Sequence, residues 1–272
     1  MNQYERALAF RALHDAPEAF VIANAWDAGS AKLLAALGFK ALATSSGAHA
    51  GVMGRTDGHV TREEACQHAG AIAEATSLPV SADMEKGFGD TTHDAELTIA
   101  LAASVGLVGA SIEDATGDPS HPLLDPVLAA ERIAAAARVA HGFGFPFMLT
   151  ARTENYLRGN PDLNDTIRRL QAFEAAGADV LMAPGLPDLD AVRAVCAAVT
   201  KPVNFMAGIK GKSFTVAELA AAGVKRISLA TSLYRAAMTG VLAAATEVRD
   251  HGTFGYLDGT LPTPDWNRFM TG

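Results

Sequence analysis

"LPVSADMEKGFGD", residues 78–90, runs from a proline-led apolar segment into two acids one residue apart, Asp83 and Glu85, then into a lysine and two glycines. A short apolar run bounded by turn residues reads as a buried strand. Side chains alternate along a strand, so the two carboxylates share one face at its end. A buried strand that ends in paired acids calls for a sheet whose strand ends meet in one place.

The same unit recurs along the chain. Seven more runs read as strands: "FVIANAWD" (20–27), "ALATSSG" (41–47), "GASIEDA" (109–115), "FMLTART" (147–153), "DVLMAPG" (179–185), "PVNFMAG" (202–208) and "RISLATS" (226–232). With "PVSADME" (79–85) they make eight, and Ala-rich helical stretches such as "AELTIALAASVG" and "LAAERIAAAARVAHGF" separate them. Gly38, Gly106, Gly177 and Gly223 mark helix ends, and Pro79, Pro146 and Pro202 open strands. Eight βα units in 272 residues predict a (β/α)8 TIM barrel. A doubly wound open sheet is the runner-up, disfavoured because no G-x-G-x-x-G follows the first strand. No linker or composition shift interrupts residues 1–272, so one domain is expected, with an N-terminal helix and a C-terminal helical tail. The last stretch, "GTLPTPDWNRFMTG", reads as irregular.

Composition narrows the function. Apolar residues are 49%, charged residues 19%, and the formal net charge is −8. No Lys/Arg-rich run occurs, which argues against nucleic acid and anionic membranes as partners. No apolar run reaches the ~18 residues of a membrane span. Two cysteines, Cys66 and Cys196, both in helical stretches, give no disulfide framework. The first helix is charged throughout, unlike a signal peptide, and a cytoplasmic protein is expected.

In a barrel the chemistry gathers at the C-terminal strand ends. Strand two ends in Ser45, Ser46 and Gly47, strand three in Asp83 and Glu85, strand four in Glu113 and Asp114, and strand five in Arg152 and Glu154, while strand seven carries Asn204. Asp83, Glu85 and Glu113 would converge from neighbouring strands and repel one another. A hard divalent ion resolves that repulsion, since Mg²⁺ takes a few carboxylates together with water and substrate oxygens. Arg152 has the shape to hold a carboxylate bidentately; its other role would be an ion pair with Glu154.

Seven segments in order, "NAWDAGSAKLLAALGFKALATSSGAHAG", "TDGHVTREEA", "SADMEKGFGD", "ASIEDATGD", "TARTENYLRG", "AGADVLMAPG" and "KPVNFMAG", resemble the isocitrate lyase/phosphoenolpyruvate mutase superfamily across roughly residues 20–235. The resemblance implies a barrel whose final helices are often swapped between subunits in dimers or tetramers. It also implies Mg²⁺, with Mn²⁺ as a possible substitute, and a small carboxylate substrate. By resemblance, Asp83, Glu85 and Glu113 hold the metal directly or through water. Arg152 grips substrate, Ser46, Gly47 and Ala48 bind its carboxylate through the backbone, Asp57 edges the site, and Asn204 contacts substrate.

The implied chemistry is cleavage or decarboxylation of a 2-oxo- or 2-hydroxy-di- or tricarboxylate, oxaloacetate or a substituted malate, through a metal-stabilised enolate. Phosphonopyruvate-type P–C chemistry and a non-catalytic carboxylate-binding barrel are the alternatives. The chain departs from the lyases where "ATGDPSHPLLD" replaces the cysteine loop after "IED", and where "MAPG" replaces a glutamate on strand six. The mutases' gating asparagine is absent as well. His121 is the candidate proton donor in place of that cysteine, Lys86 its rival, and His49 could face the site.

Overall fold

The computed structural model describes residues 1–271. Eight parallel strands close into a barrel in sequence order: β1 (Phe20–Asn24), β2 (Leu42–Ala43), β3 (Val80–Asp83), β4 (Gly109–Glu113), β5 (Met148–Arg152), β6 (Val180–Met182), β7 (Val203–Met206) and β8 (Arg226–Ser228), with β8 pairing back onto β1. Every strand expected from sequence is present, and each is shorter than its apolar run. The reason is local. Ser45 caps the helix Ser46–Val52, which ends β2 early, and the helix Ser232–His251 begins inside the run expected for β8.

Helix starts follow the chemistry of their caps. Asp27, Thr61, Thr91, Asp162, Asp188 and Thr215 each accept a backbone N–H of the following first turn, and each such cap stabilises its helix by about 1 kcal/mol. At the opposite ends Gly38, Gly106, Gly177 and Gly223 take φ between 90° and 102°, a left-handed turn that a side chain resists. Each glycine hands the chain to the next strand.

The base of the barrel is closed by the helix Gln3–Asp15. Phe10 on this helix is fully buried against Ile22, Val108, Met148 and Val180, and its burial contributes roughly 1.5–3 kcal/mol. Contact is so close that a Cβ on Gly109 would lie 2.9 Å from the Met148 carbonyl and 3.0 Å from the Phe10 ring. The tail is a correction to the sequence reading. Residues 263–271 are not irregular but form the helix Thr263–Thr271. Pro264 suits a first turn that needs no N–H partner. The helix lies against Ala28–Ala36, where Trp266 faces Gly29 and Lys32 Nζ donates to the Met270 carbonyl at 2.7 Å. Among the described residues no helix is long and apolar enough to cross a membrane.

The barrel interior is polar below its mouth. Arg226 of β8 is buried and, among the described residues, has no carboxylate partner. It donates to Asn204 Oδ1 and Thr150 Oγ1, both at 2.8 Å, and its Nη1 lies 3.4 Å from His14 Nε2. Burial lowers its pKa to about 9. His14 Nδ1 lies 2.9 Å from the Phe10 carbonyl, so a neutral ring donates there and accepts from Arg226. Burial and the Arg226 charge lower the His14 pKa to about 3.

The unfolded chain therefore takes up a proton at His14 below about pH 6.5 that the folded chain refuses until about pH 3. This stability is intact above pH 6.5 and is lost as pH falls. Urea denaturation should show the native protein losing about 1–2 kcal/mol more between pH 7 and 5 than His14→Gln. Equal losses would contradict the assignment.

Candidate active site

The β4–β5 register sets Glu113 directly beside Arg152, and the β3–β4 register sets Asp83 beside Ser111. Arg152 thus lies among carboxylates. Its Nε donates to Glu154 Oε1, Glu113 Oε2 is 3.4 Å from Nε, and Asp83 Oδ2 is 3.9 Å from Nη1. Burial works against its charge, but Glu113, Glu154 and Asp83 outweigh that and hold its pKa above the ordinary arginine value. Among the described residues its Nη1 and Nη2 donate no hydrogen bond. Arg152 lines two hollows. The inner one is narrow and reaches Asn24, Thr44, Asn204 and Arg226. The outer cleft, about 940 Å³ and open to solvent, is walled by Ser46, Asp57, His59, Glu85, Lys86, Glu113 and Arg158.

Glu85 sits on a strained turn. Its φ is +49° and that of Phe88 is +55°, a conformation costly for residues other than glycine and kept only where neighbours enforce it. The enforcement comes from behind the turn. Buried Arg132 donates to the carbonyls of Lys86 and, at 2.6 Å, Thr91. Thr98 Oγ1 donates to the Gly87 carbonyl at 2.8 Å, and Arg62 reaches Gly87, Phe88 and Asp94. Glu85 lines the cleft, and among the described residues its buried Oε1 has no hydrogen-bond partner. Burial, then the charges of Asp83 and Asp57, raise its pKa to about 7, with Lys86 opposing. Burial also pushes Glu113 up, against the pull of Arg152 and Arg158. Asp83 is differently used, since its Oδ2 accepts the Ser46 N–H at 3.2 Å and hydroxyl at 3.0 Å.

These acids do not form a closed cage. Among the described residues no three His, Cys, Asp or Glu side chains make a ready ligand set. Mg²⁺ does not require one, because it keeps several waters and takes only one or two carboxylates. The orphaned Glu85 oxygen, with Asp83 and Glu113 on the adjacent strands, fits that donor pattern.

The other expected residues separate into two groups. Ser46 and Asp57 line the cleft, and Gly47 packs against Asp57, with a Cβ there 3.3 Å from Asp57 Oδ2. Ala48 is buried, and its N–H is taken by Ser45 Oγ at 3.4 Å. Asn204 lines the inner hollow together with Arg152; it lies below the mouth because β7 ends two residues beyond it, and its amide is committed to Ser228 and Arg226. Two expectations need correction. His121 is 85% exposed beside Asp118 and is not part of the cleft wall, since a tight turn about Thr116 and Asp118 folds its loop outward. His49 is buried behind the site, stacked on His68 with ring centroids 3.9 Å apart. Lys86 does line the cleft, with Nζ donating to Asp90 Oδ1 at 2.6 Å and to the Thr116 carbonyl at 2.8 Å.

Sequence reasoning missed His59 and Arg158 in the outer wall. Arg158 follows "RTENYL" by helical spacing from Glu154, and that i,i+4 relation was the available signal. It also missed the brace under this turn. Buried Asp114 accepts from Thr153 Oγ1 and the Glu154 N–H, both at 2.8 Å, and pairs with Arg169 at 3.1 Å. Arg169 in turn binds Asp165, which accepts from Asn155 at 2.8 Å.

A family model described as phosphoenolpyruvate phosphomutase matches residues 10–249. The chain is 50% identical to a candidate lyase/mutase from Burkholderia cenocepacia J2315, with a TM-score of 0.97 over 99% of this chain and 97% of that one. It is 32% identical over 245 residues to an uncharacterized protein of Mycobacterium tuberculosis, covering 89% of this chain and 90% of the other. It is 28% identical over 258 residues to an oxaloacetate decarboxylase of Chromohalobacter salexigens, covering 92% and 87%.

Replacing Asp114 by alanine leaves the Arg169 charge buried with less compensation and frees the Glu154 N–H. Chemical denaturation should register a loss of about 3–5 kcal/mol. A loss under about 1 kcal/mol would show that the turn does not depend on this brace.

Proposed function

The chain belongs to the phosphoenolpyruvate phosphomutase family, within the isocitrate lyase/phosphoenolpyruvate mutase superfamily of lyases and mutases, and we propose that it is a Mg²⁺-dependent carbon–carbon lyase or decarboxylase. Its substrate would be a small 2-oxo- or 2-hydroxy-dicarboxylate of the oxaloacetate or substituted-malate class. The observation that carries this is Glu85, whose buried Oε1 has no hydrogen-bond partner among the described residues, two residues after Asp83 and in a cleft wall shared with Glu113 and Arg152. Asp83, Glu85 and Glu113 would hold the ion, which when bound supplies Lewis-acid stabilisation of negative charge growing on substrate oxygen.

The chain's own groups do the rest. Arg152, fixed at Nε by Glu154, presents Nη1 and Nη2 as a bidentate seat for the substrate carboxylate. Holding that carboxylate also fixes the scissile bond relative to the acids. Ser46 and Asp83 tie the strand-two turn to the strand-three acids, so the cleft floor is set before substrate arrives. Lys86 and His59 stand in the wall where a proton could reach the carbanion carbon, a position that His121 does not occupy.

The description of the matching family favours a second reading, P–C bond chemistry on a phosphonopyruvate-like substrate. The same arginine and acids would serve it, and ³¹P NMR separates the two.

Enzyme with Mg²⁺ should release an oxo acid from oxaloacetate or from substituted malates, and EDTA should abolish the release. Arg152→Lys should lower kcat/KM by about 10²–10³-fold. No turnover across this panel, or turnover indifferent to chelation, would refute the reading.

A further inference from the structure

The outer cleft is lined by two guanidiniums, Arg152 and Arg158, and the placement of Arg158 narrows the substrate. Its backbone N–H bonds to the Glu154 carbonyl at 2.9 Å, on the turn braced by Asp114 and Arg169, so its base does not wander. Its side chain is 43% exposed. Among the described residues its side chain donates one hydrogen bond, a long one of 3.4 Å from Nη2 to Glu113 Oε1; Glu154 Oε2 also lies 3.4 Å from its Nε. Arg152 touches the other oxygen of each of these carboxylates. The two guanidiniums therefore stand one carboxylate's width apart, one at the cleft floor and one at its rim.

The cation of the inner hollow, Arg226, gives its donors to Asn204 and Thr150, so a dicarboxylate seated on Arg152 finds its second carboxylate's place in the outer wall. That wall carries Asp57, Glu85 and Glu113, which repel it. Of the cations, Lys86 is committed to Asp90 and the Thr116 carbonyl. Arg158 has donors to spare. We infer that Arg158 binds the distal carboxylate of the substrate and so selects a 2-hydroxy-dicarboxylate cleaved between C2 and C3 over a 2-oxo-dicarboxylate that loses CO₂. This rests on the reading of the cleft as a carboxylate site.

The selection follows from where charge moves. In cleavage of a 2-hydroxy diacid, the hydroxyl proton passes to a cleft carboxylate and C2–OH becomes a carbonyl. The C2–C3 bond breaks and its electron pair stays on C3, delocalised into the C4 carboxylate. A proton then completes C3, leaving a 2-oxo acid and a monocarboxylic acid. Negative charge on C4 grows, and a guanidinium there stabilises the transition state more than the ground state. In decarboxylation the C4 carboxylate leaves as neutral CO₂. Its charge departs, and the same guanidinium holds back the reaction.

The test is calorimetry in Mg²⁺ with two probes, oxalate, which is too short to reach the rim, and malate, which carries the second carboxylate. Arg158→Gln should weaken malate about 10- to 100-fold and leave oxalate within about twofold, with Arg158→Lys in between. Thermal melts establish that both variants are folded. On a methyl-substituted malate the Gln variant should lose kcat as well as KM, while kcat for oxaloacetate decarboxylation should not fall. Parallel losses for oxalate and malate would overturn the inference, since Arg158 would then act through Glu113. Unchanged malate binding would overturn it too, as would slower decarboxylation with substituted malate unaffected. A native protein that binds oxalate but not malate removes the clamp and keeps the metal site. One that binds neither removes the carboxylate reading and the clamp with it.

Discussion

Arg152 and the acids around it are the constraint on which the site depends. Glu154, Glu113 and Asp83 all approach one guanidinium, and Glu85 and Asp57 complete the wall. Like charges about 4 Å apart cost about 4 kcal/mol per pair in a partly buried setting. Arg152, Arg158 and Lys86 do not offset five acids, the more so as Lys86 is already paired with Asp90. The chain tolerates the excess in two ways, by driving carboxyl groups such as Glu85 toward protonation and by leaving room for a dication to share them. An arrangement that costs folding energy without a ligand is what a binding site for a charged ligand looks like.

The scaffold around this point is rigid for stated reasons. Strand register alone sets Glu113 beside Arg152. Three buried or partly buried arginines that face no solvent task serve as struts: Arg132 behind the Glu85 turn, Arg169 beneath the Glu154 turn, and Arg226 across the barrel interior. Each binds backbone carbonyls, amides, hydroxyls or carboxylates from separate elements; Arg132 and Arg169 tie the turns at the strand ends to the outer helices that carry them, and Arg226 ties strands to one another. Cleft residues can then keep unfavourable conformations, as Glu85 does at positive φ.

Much of the architecture was legible in the residues. All eight strands, the glycines that end helices and the proline-led strand starts follow from apolar runs and turn chemistry, which act locally. Asp83, Glu113 and Arg152 were legible because they end strands and the barrel rule gathers strand ends; Glu85 was legible as an acid near that end, but β3 stops at Asp83 and a positive-φ turn, not strand alternation, places it. What was not legible depended on contacts between distant segments. Asn204 reads as a mouth residue, but its depth is set by the length of β7 and by Arg226 of the neighbouring strand. His121 reads as a proton donor because its loop follows Glu113, yet turn hydrogen bonds around Thr116 and Asp118 aim it at solvent. The last helix was hidden by two prolines and polar residues, and it exists through packing on the helix Ala28–Ala36. Arg158 was passed over because an arginine on a surface turn carries no signal until the opposing wall is known.

The cleft joins an acidic cluster with two arginines, Arg152 and Arg158, on a barrel of the lyase and mutase superfamily. Diffraction data from crystals soaked in Mn²⁺, collected at the manganese edge, test the central claim most directly. The account requires one anomalous peak within ligating reach of the Asp83, Glu85 or Glu113 carboxylates, in front of Arg152. A saturating soak that leaves this cleft without a peak would contradict it.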